Sequence, residues 1–203
     1  MTTPTGRQFT VTVAWNGQCP RYSVDAVGTV PAAMTTTLAL AHFRPDVVIS
    51  AGTCGGFQKR GGTVGKVYLS STVGNHDREI QIPGFDVYGS GILTCQIVTP
   101  QMAQDLGVEL GHVSTGNCLN LTEDHGRLIE GERAVCKEME AAGIAWVCLC
   151  HQKPFFGVKC VTDIVDCDQK PTGEQFLANL QLASQKLMEA MVLVVPYVAD
   201  LSL

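Results

Sequence analysis

A chain of 203 residues is long enough for one domain with a sizeable core. With 45% hydrophobic and only 16% charged residues, the composition excludes a disordered or fibrous chain. The net charge of −5 comes from scattered side chains that form no basic stripe, which argues against a nucleic-acid partner.

The opening MTTPTGRQFT lacks a charged segment followed by an apolar one, and no uninterrupted apolar stretch spans a bilayer. The expectation is a cytoplasmic chain with no membrane partner. Residues 1–203 form a single domain, with 1–8 expected to be disordered. FTVTVAW (9–15) alternates in period two and ends in the turn residues NGQCP, and YSVDAVG follows as a second strand. Pro31 opens a helix through AAMTTTLALAHF, which Pro45 ends. VVISAG (47–52) is a continuous apolar run, as in a strand covered on both faces. VGKVYLSSTV (64–73), HVSTGN (112–117) and PFFGVKCVTD (154–163) read as further strands. Helices are expected at about 138–150 and 172–195, and no repeat, low-complexity tract or linker divides the chain. The alternation predicts a three-layer α/β domain with a mostly parallel sheet.

The nine cysteines are odd in number and sit mainly in apolar runs, so they read as buried free thiols rather than a disulfide framework. Cys148, Cys150 and His151 spell C-x-C-H, but no second ligand pair stands at zinc spacing. No metal or organic cofactor is expected.

Ligands of such sheets gather beyond the carboxyl ends of the strands. Those ends deliver GTCGGF (52–57), the trio Thr115, Gly116 and Asn117, and the trio Lys159, Thr162 and Asp163, with Glu140 from a helix start. Each has a bland reading. GTCGG is a tight turn that fits neither a dinucleotide fingerprint nor a phosphate loop. Asp163 is an N-cap or turn residue. Glu138 answers the helix dipole as an ordinary first-turn acid. Singly, the structural reading of each outweighs the functional one; together they point to a site. Glu140 stands apart, because Cys136, Gly143 and Ile144 flank it along the helix and none is a cation. Buried and unpaired, its carboxylate would cost several kcal/mol or take up a proton, and a ligand with two hydroxyls would satisfy it.

VVISAGTCGGF, HDREIQIPGFDVYG, STGNCLN, KEMEAAGIA and VKCVTDIVDCDQKPTGEQFLANL, in this order, resemble the 5′-methylthioadenosine nucleosidases, particularly the plant type, of the nucleoside phosphorylase superfamily. The likeness runs from Phe9 onward. It implies an α/β/α sandwich on a twisted mixed sheet, a homodimer, no cofactor, and hydrolysis of methylthioadenosine to adenine and methylthioribose in methionine salvage. By the same resemblance, Asp163 is the acid at adenine N7, and Met139 and Glu140 hold the ribose. Leu119 and Thr162 stand at the adenine edge, and Thr53 and Lys159 lie near the attacking water. Val27 lines the alkylthio pocket, and Phe85 belongs to a segment that reaches a neighbouring subunit. Whether S-adenosylhomocysteine is also a substrate is left open.

The chain also departs from the pattern. Family members begin with a strand carrying a water-activating glutamate, then a helix; here no Glu precedes Glu79. The expectation is a domain without that strand, helix and base. The family's TGD is TGN at Asn117, and a plant-type acid is Asn120, which loosens the expected support of the adenine loop. Three activities follow in order: an active nucleosidase, a nucleoside-binding relative that cannot activate water, and a purine nucleoside phosphorylase. The last needs an anion site that Arg21, Arg44, Arg60 and Arg78 do not suggest by their spacing.

Overall fold

The structure is a computed structural model describing residues 1–80, 82–167 and 172–201, without the side chains of Asp86 and Ser90. Residues 168–171 of the last quoted motif lie outside the described residues. The elements run α1 Thr29–Phe43, β1 Val48–Gly56, β2 Val67–Asn75, α2 Asp86–Ser90, β3 Leu93–Thr94, α3 Pro100–Leu106, β4 Glu109–Thr115, α4 Glu123–Glu132, β5 Cys136–Glu138, α5 Ala141–Cys150, β6 Phe155–Ile164 and α6 Thr172–Asp200.

The sheet has six strands in the order β3-β2-β4-β5-β1-β6. Three pairings are parallel (β1–β6, β2–β4, β4–β5) and three antiparallel (β1–β5, β2–β3, β2–β6), so the sheet is mixed rather than mostly parallel. Because β2 also pairs with β6, the strands β2, β4, β5, β1 and β6 close on themselves. That closure leaves β3 as an edge and gives the inner strands partners on both sides. β6 has buried residues along almost its whole length, which fits its run of apolar residues on both faces.

The core joins Tyr68, Leu69, Val113, Phe156, Val158 and Val161 of the strands to Ala141, Ala145 and Cys148 of α5. Val194 and Val198 of α6 complete it. By length and composition α6 is apolar enough to cross a membrane, which the sequence reading did not expect. Here it packs along β6 and β1, burying Ala183, Ala190, Val194 and Val198.

α1 begins after Gly28 and ends at Arg44 in the left-handed region, just before Pro45. It packs on α5 through a close approach: a Cβ on Gly143 would stand 2.7 Å from the Thr29 carbonyl oxygen. Gly143→Ala is therefore expected to destabilise the fold by about 1–3 kcal/mol, read by denaturant unfolding, because backbone cannot yield as a side chain would. A loss below a few tenths would show that the helices separate freely.

Three expectations need correction. FTVTVAW forms no strand and joins no ladder, and YSVDAVG contributes only the isolated Gln18–Asp25 bridge. Alternation marks a strand only where a neighbour offers backbone partners, and Val13, Trp15 and Tyr22 remain exposed. GTCGG is not a turn, since β1 continues through Gly56. Residues 1–8, expected to be disordered, form a small loop closed at Phe9, in which the Met1 amino group donates to the Phe9 carbonyl and Arg7 Nη1 donates to the Leu201 carbonyl.

Candidate active site

Two adjacent residues of β5 set up the site. Side chains alternate along a strand, so Lys137 and Glu138 face opposite ways. Glu138, 4% exposed, meets Lys159 from β6: Nζ donates to Oε2 at 2.9 Å and to Ser50 Oγ at 3.0 Å. The same carboxylate accepts from the backbone N–H of Glu140 and Ala141 and from Thr115 Oγ1. Burial works against its charge, but Lys159 and these donors outweigh it and hold Glu138 below the usual carboxylate range. Burial likewise opposes the Lys159 charge, and Glu138 overcomes it to raise the ammonium. Both shifts favour a buried ion pair. Glu138 is thus no ordinary first-turn acid: it does serve the start of α5, but as the buried partner of Lys159.

Glu140 stands at the N-cap of α5 without capping it through its own side chain. Its Oε1 accepts from the Gly28 N–H at 2.9 Å. Burial, then the neighbouring Glu138 charge, raise its pKa. Among the described residues it makes no ion pair, although the Lys159 charge acts on it from a distance and favours its ionised form. Met139 beside it is partly buried.

Asp163 owes its position to an irregularity. Cys54 pairs with Val161 and Gly55 with Asp163, so Thr162 is an extra residue in β6 opposite one step of β1. Such a bulge re-aims neighbouring side chains, and Thr162 Oγ1 comes within 2.7 Å of Asp163 Oδ1 and 3.1 Å of the Cys54 carbonyl. The hydroxyl has one proton for two acceptors. When it donates to the carbonyl, the remaining contact is satisfied by a protonated Asp163. Burial raises the Asp163 pKa, against smaller opposing effects of Thr162 and Lys137. Gly55 makes the space, since a Cβ there would lie 2.8 Å from Asp163 Oδ2.

On the other face of β5, the Lys137 Nζ donates to the carbonyls of Cys118 and Leu119 at 2.8 and 2.9 Å. Burial lowers its pKa, while Cys118 and Asp163 act in the opposite direction. Asn117 Oδ1 accepts from Thr29 N–H and its Nδ2 donates to Asp77 Oδ2. An amide both accepts and donates, so Asn117 ties this loop to two elements rather than loosening it.

Lys159, Thr162, Asp163, Glu140 and Met139 are therefore gathered around β1, β5 and β6, with half-buried Thr53 in β1 between them. Val27, Leu119 and Phe85 are instead 60%, 46% and 47% exposed, with Phe85 edge-on to Tyr88. Sequence reasoning missed Lys137 and the role of Glu138. The signal was there: a Lys and a Glu in a three-residue strand, each needing a buried partner. The C-x-C-H reading finds no support, because Cys148 is buried in the core while Cys150 is exposed. A groove of about 360 Å³ beside Lys66, Glu109 and Lys186 lies at the opposite ends of β2 and β4 and shares none of these residues.

The chain is similar to known proteins over most of its length. The phosphorylase superfamily profile matches residues 2–196. A 5′-methylthioadenosine nucleosidase of Arabidopsis thaliana is 39% identical over 181 residues, covering 89% of this chain and 67% of the relative. A 5′-methylthioadenosine/S-adenosylhomocysteine nucleosidase of the same plant is 35% identical over 95% of this chain and 75% of its own length. The apo structure of the Arabidopsis 5′-methylthioadenosine nucleosidase superposes with a TM-score of 0.88 at 38% identity, over 92% of this chain and 75% of that one. The chain belongs to the phosphorylase superfamily and, within it, to the family of these plant 5′-methylthioadenosine nucleosidases.

Proposed function

We propose that the protein hydrolyses the N-glycosidic bond of 5′-methylthioadenosine, releasing adenine and methylthioribose, as a step of methionine salvage. The observation that carries the reading is the pairing of a carboxyl pushed toward its neutral form, Asp163, with a second carboxyl, Glu140, that accepts from the Gly28 N–H and has no ion-pair partner among the described residues. Glycosidic cleavage puts negative charge on the departing base and positive charge on the sugar. A protonated Asp163 gives its proton to N7 as the bond breaks, and Glu140 accepts hydrogen bonds from the ribose hydroxyls. Lys137 steadies the carbonyls of Cys118 and Leu119 that border the base. Lys159 fixes Glu138, which in turn fixes the start of α5.

A second reading, binding of the nucleoside without turnover, is favoured by one feature. Each carboxylate just described already has a duty, so none of them is free to take a proton from water. Adenine release separates the two. Purified protein is expected to release adenine from methylthioadenosine without phosphate; tight binding with no release would support the second reading, and phosphate dependence would indicate a phosphorylase. Glu140→Gln is expected to weaken nucleoside binding about tenfold or more, in keeping with a charge-assisted bond of about 1.5–3 kcal/mol. Unchanged affinity would remove Glu140 from the pocket.

The protein further acts as a homodimer in this reading. Val30, Met34 and Leu38 recur every four residues along α1 and are 69%, 62% and 68% exposed, an unpartnered apolar stripe beside exposed Trp146 and Leu149 of α5. Sedimentation that gives a monomer would overturn it. Nine free cysteines suit a reducing compartment, in line with a cytoplasmic location.

A further inference from the structure

His76 and Asp77 follow β2, and His125 lies in the first turn of α4. Their ligand-type atoms all fall within 4.8 Å of one another. His76 Nε2, Asp77 Oδ1 and His125 Nδ1 are each buried without a hydrogen-bond partner among the described residues. Two of these atoms, His76 Nε2 and Asp77 Oδ1, face one another, the His125 ring lies against the same Oδ1, and buried polar atoms left unsatisfied in this way are costly unless something is bound between them.

The proton on His76 is placed by its surroundings. Ser114 Oγ donates its one hydrogen to Glu132 Oε2 at 2.7 Å, so it receives the hydrogen bond from His76 Nδ1 at 3.0 Å. Nδ1 therefore carries the ring hydrogen, and the lone pair of Nε2 faces Asp77 Oδ1 at 3.9 Å. An imidazole held through its second nitrogen, with a carboxylate behind that contact, is the outer-shell arrangement of metal-bound histidine. Asp77 is oriented too, since its Oδ2 accepts from the backbone and side-chain nitrogens of Asn117, leaving Oδ1 for the cluster. His125 Nε2 lies 3.4 Å from that Oδ1. Ligands about 2.0–2.2 Å from a tetrahedral zinc ion stand about 3.3–3.6 Å apart, so a modest ring rotation completes the set.

We propose that His76, Asp77 and His125 form a binding site for one divalent transition-metal ion of the zinc type, with a water as the fourth ligand. Two imidazoles and one carboxylate suit zinc or cobalt and disfavour calcium or magnesium, which take oxygen ligands. The Asp77 and His125 side chains are 22% and 24% exposed, so the cluster lies just beneath the surface, within reach of a solvent ligand. Because Asp77 also holds Asn117, the ion would brace the loop that runs on to Cys118 and Leu119.

The test is a cobalt(II) titration of chelator-treated, full-length protein, followed by visible d–d absorption. One equivalent is expected to bind without a thiolate-to-cobalt charge-transfer band, which separates this site from the free cysteines. Magnesium in excess should not displace the cobalt, and zinc should. His125 is partly exposed on a surface helix, so H125A is expected to keep its circular dichroism and lose affinity at least about tenfold, given that even outer-shell changes cost that much. H125C is expected to regain binding and to show the missing charge-transfer band. Failure of the native protein to bind, or equal affinity in H125A, would overturn the site.

Discussion

Replacing Lys159 by methionine is expected to cost about 3–5 kcal/mol of stability, because it leaves the Glu138 carboxylate buried and unanswered. Both side chains are 2% exposed, so water cannot take over the lost partner. The double variant K159M/E138Q is expected to recover much of that loss. The neutral amide oxygen can still accept from Ala141 N–H, and no bare charge remains. The pair also sets a pH window. The depressed Glu138 pKa gives stability that is present above the ordinary value of 4.5 and fades as pH falls through the folded value. The raised Lys159 pKa gives stability that is present below the ordinary value of 10.5 and fades as pH rises through the folded one. Chemical denaturation between these limits is the measurement. A loss under about 1 kcal/mol in K159M would mean that the pair contributes no more than an exposed one.

Asp163→Asn is expected to lower adenine release by about two to four orders of magnitude while leaving nucleoside affinity within a few fold. Asparagine keeps the shape and the Thr162 contact but has no proton to give. Stability should move the other way with pH. The native Asp163, with its raised pKa, costs the fold stability once it ionises, so wild type loses stability as pH rises through the folded value and the variant does not. Loss of turnover without loss of stability identifies a proton donor; full activity would rule out the role.

Much of this was legible in the chain. The apolar run 47–52 and the segment FFGVKCVTD give β1 and β6, since continuous β-branched and aromatic runs declare buried strands. Pro31 and Pro45 bracket α1, and the placing of Glu140 and Asp163 follows from where the strands end. What was hidden depends on partners distant in sequence. β5 is three residues long, too short to show a period, and exists because β4 and β1 flank it. Glu138 resembles a dipole acid until Lys159 arrives from 21 residues away. FTVTVAW has the right alternation and no ladder. The Thr162 bulge, which aims Asp163, has no signature in the residues themselves.

The brevity of β5 has a mechanical meaning. Lys137 grips the loop beside Cys118 and Leu119, and Glu138 grips Lys159 and the first turn of α5. The two anchors are consecutive, so about 3.8 Å of covalent chain spans them. The strand acts as a ruler: in the proposed site, the offset between the half assigned to the base and the half assigned to the sugar is graduated in peptide units, and cannot drift by side-chain repacking. A family member can retune either half by changing loops, but a shift in the spacing between them requires an inserted or deleted residue.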